Sequence, residues 1–140
     1  MSDEDAIRAL ATRYAQAIDR NQPELLDTLF TPDAVVEGPG FRMGGIDEIR
    51  RIPGTLKKMY KQTTHVVHQQ TVALSGDQAE CETHATANHL TELGDGKASN
   101  LVWSIRYQDR VQRRDGRWRF ARRLLIIDWT ETRTVSISGN

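Results

Sequence analysis

The period of the apolar residues changes near Tyr60 and divides the chain in two. Before that point it reads as helices broken by loops. After it the chain reads as long strands. In the first helix Ile7, Leu10, Ala11, Tyr14, Ala17 and Ile18 fall on one face at three- and four-residue spacing. Ser2 with Asp5 forms a cap, acidic residues fill the first turn, and the helix ends near Asp19-Arg20-Asn21. Pro23 opens a short second helix with Leu25, Leu26 and Leu29, and Thr31-Pro32-Asp33 is read as a turn. Ala34–Glu37 and Phe41–Met43 are expected to form a small hairpin around Gly38-Pro39-Gly40. Ile46 to Tyr60 looks helical, with an interruption at Pro53-Gly54. Four strands are expected over Thr64–Leu74, Gln78–Glu92, Ala98–Gln112 and Arg117–Thr130, separated by Ser75-Gly76-Asp77, Gly94-Asp95-Gly96 and Asp115-Gly116. Consecutive hairpins of long strands make a bent antiparallel sheet that needs cover on one face. The expected fold class is therefore α+β: N-terminal helices packed into the concave side of a curved sheet.

Composition narrows the function. The chain has 140 residues, enough for one domain with its own core. Lys+Arg and Asp+Glu both number 19, so the net charge is zero and a strongly basic nucleic-acid binder is disfavoured. The lone Cys81 excludes a disulfide framework and a cysteine-based zinc site. No apolar run is long enough to span a membrane, and the acidic N-terminus does not read as a signal peptide, so a cytoplasmic protein is expected. Eight arginines lie between Arg106 and Arg123, read as a solvated hairpin with cross-strand ion pairs. Arg122 and Arg123 are adjacent, so one faces inward and needs an acid or an anionic ligand.

Three residues carry candidate chemistry. Asp19 sits at the negative end of the first helix's dipole, an unfavourable place unless a donor meets it. His65 opens the first long strand and suits general-base work, while His68 falls on the opposite face. His89 shares a face with Ala85 and Ala87, whose small side chains leave space for a pocket with His89 on its wall. No phosphate-binding glycine loop or His-x-x-x-His pair is present, and no metal site is expected.

Three features occur together: the helix ending in Asp19, the strand opening His65-Val66-Val67-His68-Gln69 with a later Gly76-Asp77, and the closing hairpin Arg113-Arg114-Asp115-Gly116-Arg117-Trp118-Arg119-Phe120. In that order and spacing the chain resembles the SnoaL-like branch of the nuclear transport factor 2-like superfamily, over nearly its whole length. The resemblance implies a single domain over 1–140. It implies a cone of curved mixed or antiparallel sheet (cystatin-like) with helices enclosing an apolar pocket. Its nearest pattern is that of the Asp–His dyad enzymes: scytalone dehydratase, bile-acid 7α-dehydratase and hexachlorocyclohexane dehydrochlorinase. In these a histidine abstracts a proton and an aspartate holds it, roles that fall on His65 and Asp19. Arg123 matches an arginine of the dehydrochlorinase, which has a lysine where Tyr14 stands. Tyr14 matches a tyrosine of the bile-acid enzyme, and His89 lies close to the second histidine of scytalone dehydratase.

The expectation is a cofactor-independent lyase, a dehydratase of a small apolar hydroxylated substrate. Tyr14, His89 or Arg123 would polarise a carbonyl or assist the departing oxygen. Leu10, Phe30, Met59, Tyr60, Ala85, Ala87, Trp103, Ile105 and Tyr107 would line the pocket. Isomerisation, cyclisation or hydration on the same dyad is the first alternative, and a non-catalytic ligand-binding or dimerisation module the second. A homo-oligomer, dimer or trimer, is expected because Val66, Val102 and Trp118 on the open sheet face want cover. The tail from Glu131 to Asn140 is expected to cap the pocket, join a neighbour or be disordered. Nucleic acid and membrane are not expected partners.

Overall fold

Ser2 accepts a hydrogen bond from the Asp5 amide at 3.1 Å and starts α1 (Asp3–Asp19). The structure, a computed structural model, describes residues 1–138. The apolar stripe of α1 is buried from Ile7 to Ile18, and the chain then leaves the helix through Asn21, at φ 50°. α2 (Pro23–Leu26) begins on its proline. β1 (Phe30–Gly38) and β2 (Phe41–Gly44) form the small hairpin. The expected turn at Thr31-Pro32-Asp33 is instead part of β1: this stretch is extended, and the pairing with the last strand is irregular between Phe30 and Val35. The expected break at Pro53-Gly54 falls earlier. α3 (Ile46–Ile49) ends before Arg50, and Pro53 sits in the first turn of α4 (Ile52–Met59), where a missing N–H costs no helical bond.

β3 (Gln62–Ser75), β4 (Gln78–Gly94), β5 (Lys97–Arg114) and β6 (Arg117–Ser136) follow as consecutive antiparallel neighbours. Asp95-Gly96 and Asp115-Gly116 turn with positive φ at both residues, the conformation that tight hairpins favour and that glycine adopts without strain. The sheet order is β2-β1-β6-β5-β4-β3, and β1 runs parallel to β6. The architecture is thus mixed α+β with a curved, open six-stranded sheet. α1 lies against its inner face, where Ile7, Leu10, Tyr14 and Ile18 join Val111, Phe120 and Leu125 in one core.

Bulges decide which side chains point inward. Ala121 is an extra residue in β6 opposite the step from Val111 to Arg110, so inward pointing passes from Phe120 to Arg123 rather than to Arg122. Asp128 is a second extra residue, and beyond it Trp129 turns outward, 56% exposed. The expected tail is largely strand: Glu131 to Ser136 pairs with β5 up to Lys97, and Ile137 donates to the Gly96 carbonyl at 2.9 Å. None of its described residues lines the pocket, and its last two residues lie outside the described ones. Of the three apolar residues expected on the open face, only Val66 is exposed, at 42%. Val102 and Trp118 are buried, the latter donating from Nε1 to Asp3 at 3.1 Å.

Candidate active site

Asp19 is the last residue of α1, and the adjoining end of β3 brings it three donors. The His65 amide donates to Oδ2 at 2.7 Å, the Thr63 hydroxyl donates to Oδ1 at 3.0 Å, and His65 Nδ1 lies 2.6 Å from Oδ1. These contacts offset the unfavourable meeting of a carboxylate with a helix C-terminus. They also fix the imidazole: with a carboxylate at Nδ1, that nitrogen carries the proton and Nε2 offers its lone pair. Thr63 and His65 share the inner face of β3, while His68 points outward to the Thr86 hydroxyl. Thr63 was legible only as a neighbour of matching parity.

His65 opens onto a cavity of about 340 Å³. Tyr14 and Ile18 of α1, Ala87 and His89 of β4, and Trp103, Ile105 and Tyr107 of β5 form its inner walls. Met59 and Tyr60 stand at the end of α4. The sequence reading missed Ile18 and the rest of the lining: Val36, Phe41 and Met43 from the β1–β2 hairpin, Ile52, Thr55 and Leu56 from α4, and Leu125 from β6. The one signal for them was the pair of large apolar residues in a short hairpin. Phe41 folds back across Gly38, where an added Cβ would stand 2.7 Å from its ring.

Three residues expected on the pocket wall are elsewhere. Leu10 and Ala85 are core residues outside the lining, and Phe30 stacks edge-on against Tyr14 at 5.9 Å, behind the tyrosine. Asp19 also does not line the large cavity. It borders a smaller adjoining cleft of about 120 Å³ with Arg20, Lys57 and Lys61, so it meets the cavity only through His65.

Arg123 requires the clearest correction. The Ala121 bulge sends it inward, but it is sealed below the cavity rather than on its wall. Its Nε and one terminal nitrogen donate to Asp109 at 2.9 and 3.2 Å, and both side chains are 1% exposed. Its guanidinium lies 3.7 Å from the Tyr107 ring centre, 4.4 Å from that of Phe120 and 4.5 Å from that of Tyr14. Burial alone would lower its pKa, but the charge and hydrogen bonds of Asp109, together with Tyr107 and Tyr14, outweigh burial and hold it charged. It cannot touch a substrate; it supports the two tyrosines. Asp109, its acid, was not singled out from the sequence. The other arginines of this stretch are exposed or half-buried; Arg106 pairs across strands with Glu82 and Asp128 and Arg122 with Glu37, while Arg113 pairs with Asp3 of α1 and Asp77 of the β3–β4 turn.

His89 lines the cavity between Tyr60 and Trp103, with ring centres 4.9 and 4.6 Å away. Its Nδ1 lies 2.8 Å from the Leu101 carbonyl, and desolvation pushes its pKa down. A neutral ring that donates from Nδ1 has no second proton, so the expected assistance to a departing oxygen is not available from His89 in this state. Tyr14 and Tyr107 are pushed up from the ordinary phenol range, chiefly by burial, and remain hydroxyl donors. Burial likewise pushes Cys81 up to about 12, leaving an unreactive thiol. Among the described residues no cluster of three or more histidine, cysteine or acidic side chains could hold a metal ion, and no helix is long and apolar enough to cross a membrane.

Comparison with known proteins fits this architecture. The family model described as a SnoaL-like domain matches residues 1–124. A provisionally named scytalone dehydratase from Novosphingobium aromaticivorans is 25% identical with a TM-score of 0.79, over 99% of this chain and 94% of its own. A protein of unknown function from Mycobacterium tuberculosis is 28% identical with a TM-score of 0.78, over 88% of this chain and 70% of its own. A type 2 hexachlorocyclohexane dehydrochlorinase shares the fold with a TM-score of 0.84 at 18% identity, over 98% of this chain and 93% of its own. No curated protein matches the chain significantly.

Proposed function

We propose, for a chain that belongs to the SnoaL-like domain family, a lyase activity: elimination of water from a small, mostly apolar hydroxylated substrate. The observation that carries the proposal is the 2.6 Å contact of Asp19 with His65 beside an open apolar cavity. Elimination needs a base at a C–H bond and stabilisation of an oxygen that leaves. His65 Nε2 takes the proton; the C–H electron pair becomes the new double bond as the C–O bond breaks. The departing hydroxyl leaves as water by taking up, directly or relayed through Tyr14, the proton that His65 abstracted, which returns the histidine to its neutral form. Asp19 keeps the His65 proton on Nδ1 and stabilises the imidazolium, as a buried carboxylate does beside other catalytic histidines. Tyr14 is the donor for the departing or carbonyl oxygen. A largely apolar cavity strengthens each of these few polar contacts. The same base and cavity would serve isomerisation, cyclisation or hydration.

The test is a screen of hydroxylated apolar compounds for loss of one water by mass spectrometry, run with wild type and His65→Ala in parallel. Product from the wild type and none from a folded variant supports the reading. Equal product from both sinks it. We also propose that copies of the chain associate through the outer sheet face, where Val66, Thr86, Ser104 and Trp129 form one cross-strand row. A monomer in sedimentation or size-exclusion experiments rejects that assembly.

A further inference from the structure

We infer that the cavity takes a ligand that brings its own hydrogen-bond donor to His89 Nε2, and that this donor is not the group that departs. The inference rests on reading the cavity as the substrate site and says which chemistry fits it.

The argument begins with the proton on His89. A backbone carbonyl can only accept, so the contact to Leu101 places the proton on Nδ1. The His89 amide is separately committed to Asn100 Oδ1 at 3.0 Å, which fixes the backbone, and stacking between Tyr60 and Trp103 fixes the ring. Nε2 is left with a lone pair and no partner among the described residues. The partnerless side-chain atoms that are sealed from space are Thr31 Oγ1, Arg119 Nε and Arg123 Nη1. Nε2 of His89 is not one of them, so it opens onto space, and the space that His89 lines is the cavity. Burial favours the neutral ring and so preserves this lone pair.

His65 presents the same face. Its Nδ1 is tied to Asp19, so its Nε2 is also an acceptor, and the two rings lie edge to face with centres 6.3 Å apart. With both rings neutral, this end of the cavity offers two lone pairs, and the Tyr60 hydroxyl and Trp103 N–H that also line it belong to rings stacked on the faces of His89 rather than set against Nε2. Further donors come from Tyr14 and Tyr107, whose hydroxyls have no partner among the described residues and whose rings rest on Arg123. Thr55 adds none, because its hydroxyl already donates to the Arg51 carbonyl.

This division of donors and acceptors selects the ligand. An oxygen that departs gains negative charge and is stabilised by donors; a lone pair beside it opposes that charge. The leaving oxygen therefore belongs toward the tyrosines. The hydroxyl or N–H that meets His89 stays in the product. The fitting class is a neutral, mostly apolar molecule with two polar functions: one donor that is retained, and one oxygen that is lost or polarised. A molecule whose only polar atoms are halogens leaves the His89 lone pair unmatched.

Borneol and camphor test this directly, because they share a skeleton and an acceptor oxygen and only borneol donates. The full chain, labelled with ¹⁵N-histidine, is titrated with each and followed by the ring-nitrogen resonances. Before addition, His89 is expected to show a protonated Nδ1 and a bare Nε2. Borneol is expected to bind about tenfold more tightly than camphor and to move the His89 Nε2 resonance, the size of one hydrogen bond to an otherwise unmatched group. His89→Phe is expected to bring the two affinities to parity, and His89→Gln, which keeps a carbonyl acceptor, to restore part of the preference. A protonated Nε2, equal affinities in wild type, or an undiminished preference in the folded variants overturns the inference while leaving the cavity a ligand site. If neither compound binds or shifts any cavity residue, the reading of the cavity as the substrate site fails, and this inference with it.

Discussion

Two inward-facing pairs of opposite polarity lie on the concave side of this sheet, and they behave differently. Asp109 and Arg123 face each other in register across β5 and β6, 1% exposed, with a bidentate contact and three aromatic rings around the guanidinium. Asp19 and His65 meet where a helix end reaches a strand end, and their side chains are 20% and 9% exposed. The first pair is committed almost entirely to the protein. The second keeps one nitrogen uncommitted beside an open cavity. A charged residue facing inward is therefore not by itself a catalytic one: what matters is whether a reactive atom is left free and whether anything can reach it.

The largest effect expected from breaking this contrast falls on turnover. His65→Ala should reduce the rate on a substrate found by the screen by about 10²–10⁴-fold, with an unchanged far-ultraviolet circular dichroism spectrum. Asp109→Ala acts on the other pair and should act on stability. It strands a buried guanidinium and should cost about 3–5 kcal/mol in chemical unfolding. Pairing Asp109→Leu with Arg123→Met should recover most of that loss, because no charge is then left alone. If the double variant is no better than the single one, Arg123 does more than support the tyrosines.

Asp19→Asn should lower turnover less than His65→Ala does. The amide can present its N–H₂ to His65 and shift the proton from Nδ1 to Nε2, which removes the base from the cavity. Nitrogen-15 resonances of His65 report that exchange independently of any substrate.

The smallest effect is a pH dependence. Burial lowers the proton affinity of His89 below the ordinary histidine value of about 6.5. On acidification the unfolded chain takes up a proton there before the folded chain does. Stability from this residue is thus complete above that ordinary value and is lost as pH falls below it toward the folded value. Urea unfolding of wild type and His89→Gln across this range should show the steeper decline in wild type; parallel curves would mean that His89 is not held neutral.

Much of this was written locally. The helix stripe from Ile7 to Ile18, its Ser2 cap, and the Asp-Gly turns follow from short-range spacing and backbone preference, so they were legible residue by residue. Parity set His65 and His68 on opposite faces and His89 on one face with Ala85 and Ala87, but it left open which of the first two points inward. Where parity broke, reading failed: Arg122 and Arg123 could not be told apart until the Ala121 bulge shifted the phase, and the same mechanism turned Trp129 outward. The Thr31-Pro32-Asp33 stretch carries turn-forming residues, yet pairing beside β6 holds it extended. The sequence by itself determined most of the elements and their order, since these depend on neighbours a few residues apart, whereas Asp19 and His65 stand 46 residues apart and only the fold brings them into contact. The tertiary structure alone decided which proton each histidine carries, that Arg123 is sealed by Asp109, and that the β1–β2 hairpin and α4 complete the cavity. Those outcomes depend on groups far apart in the chain, and only packing sets the distances between them.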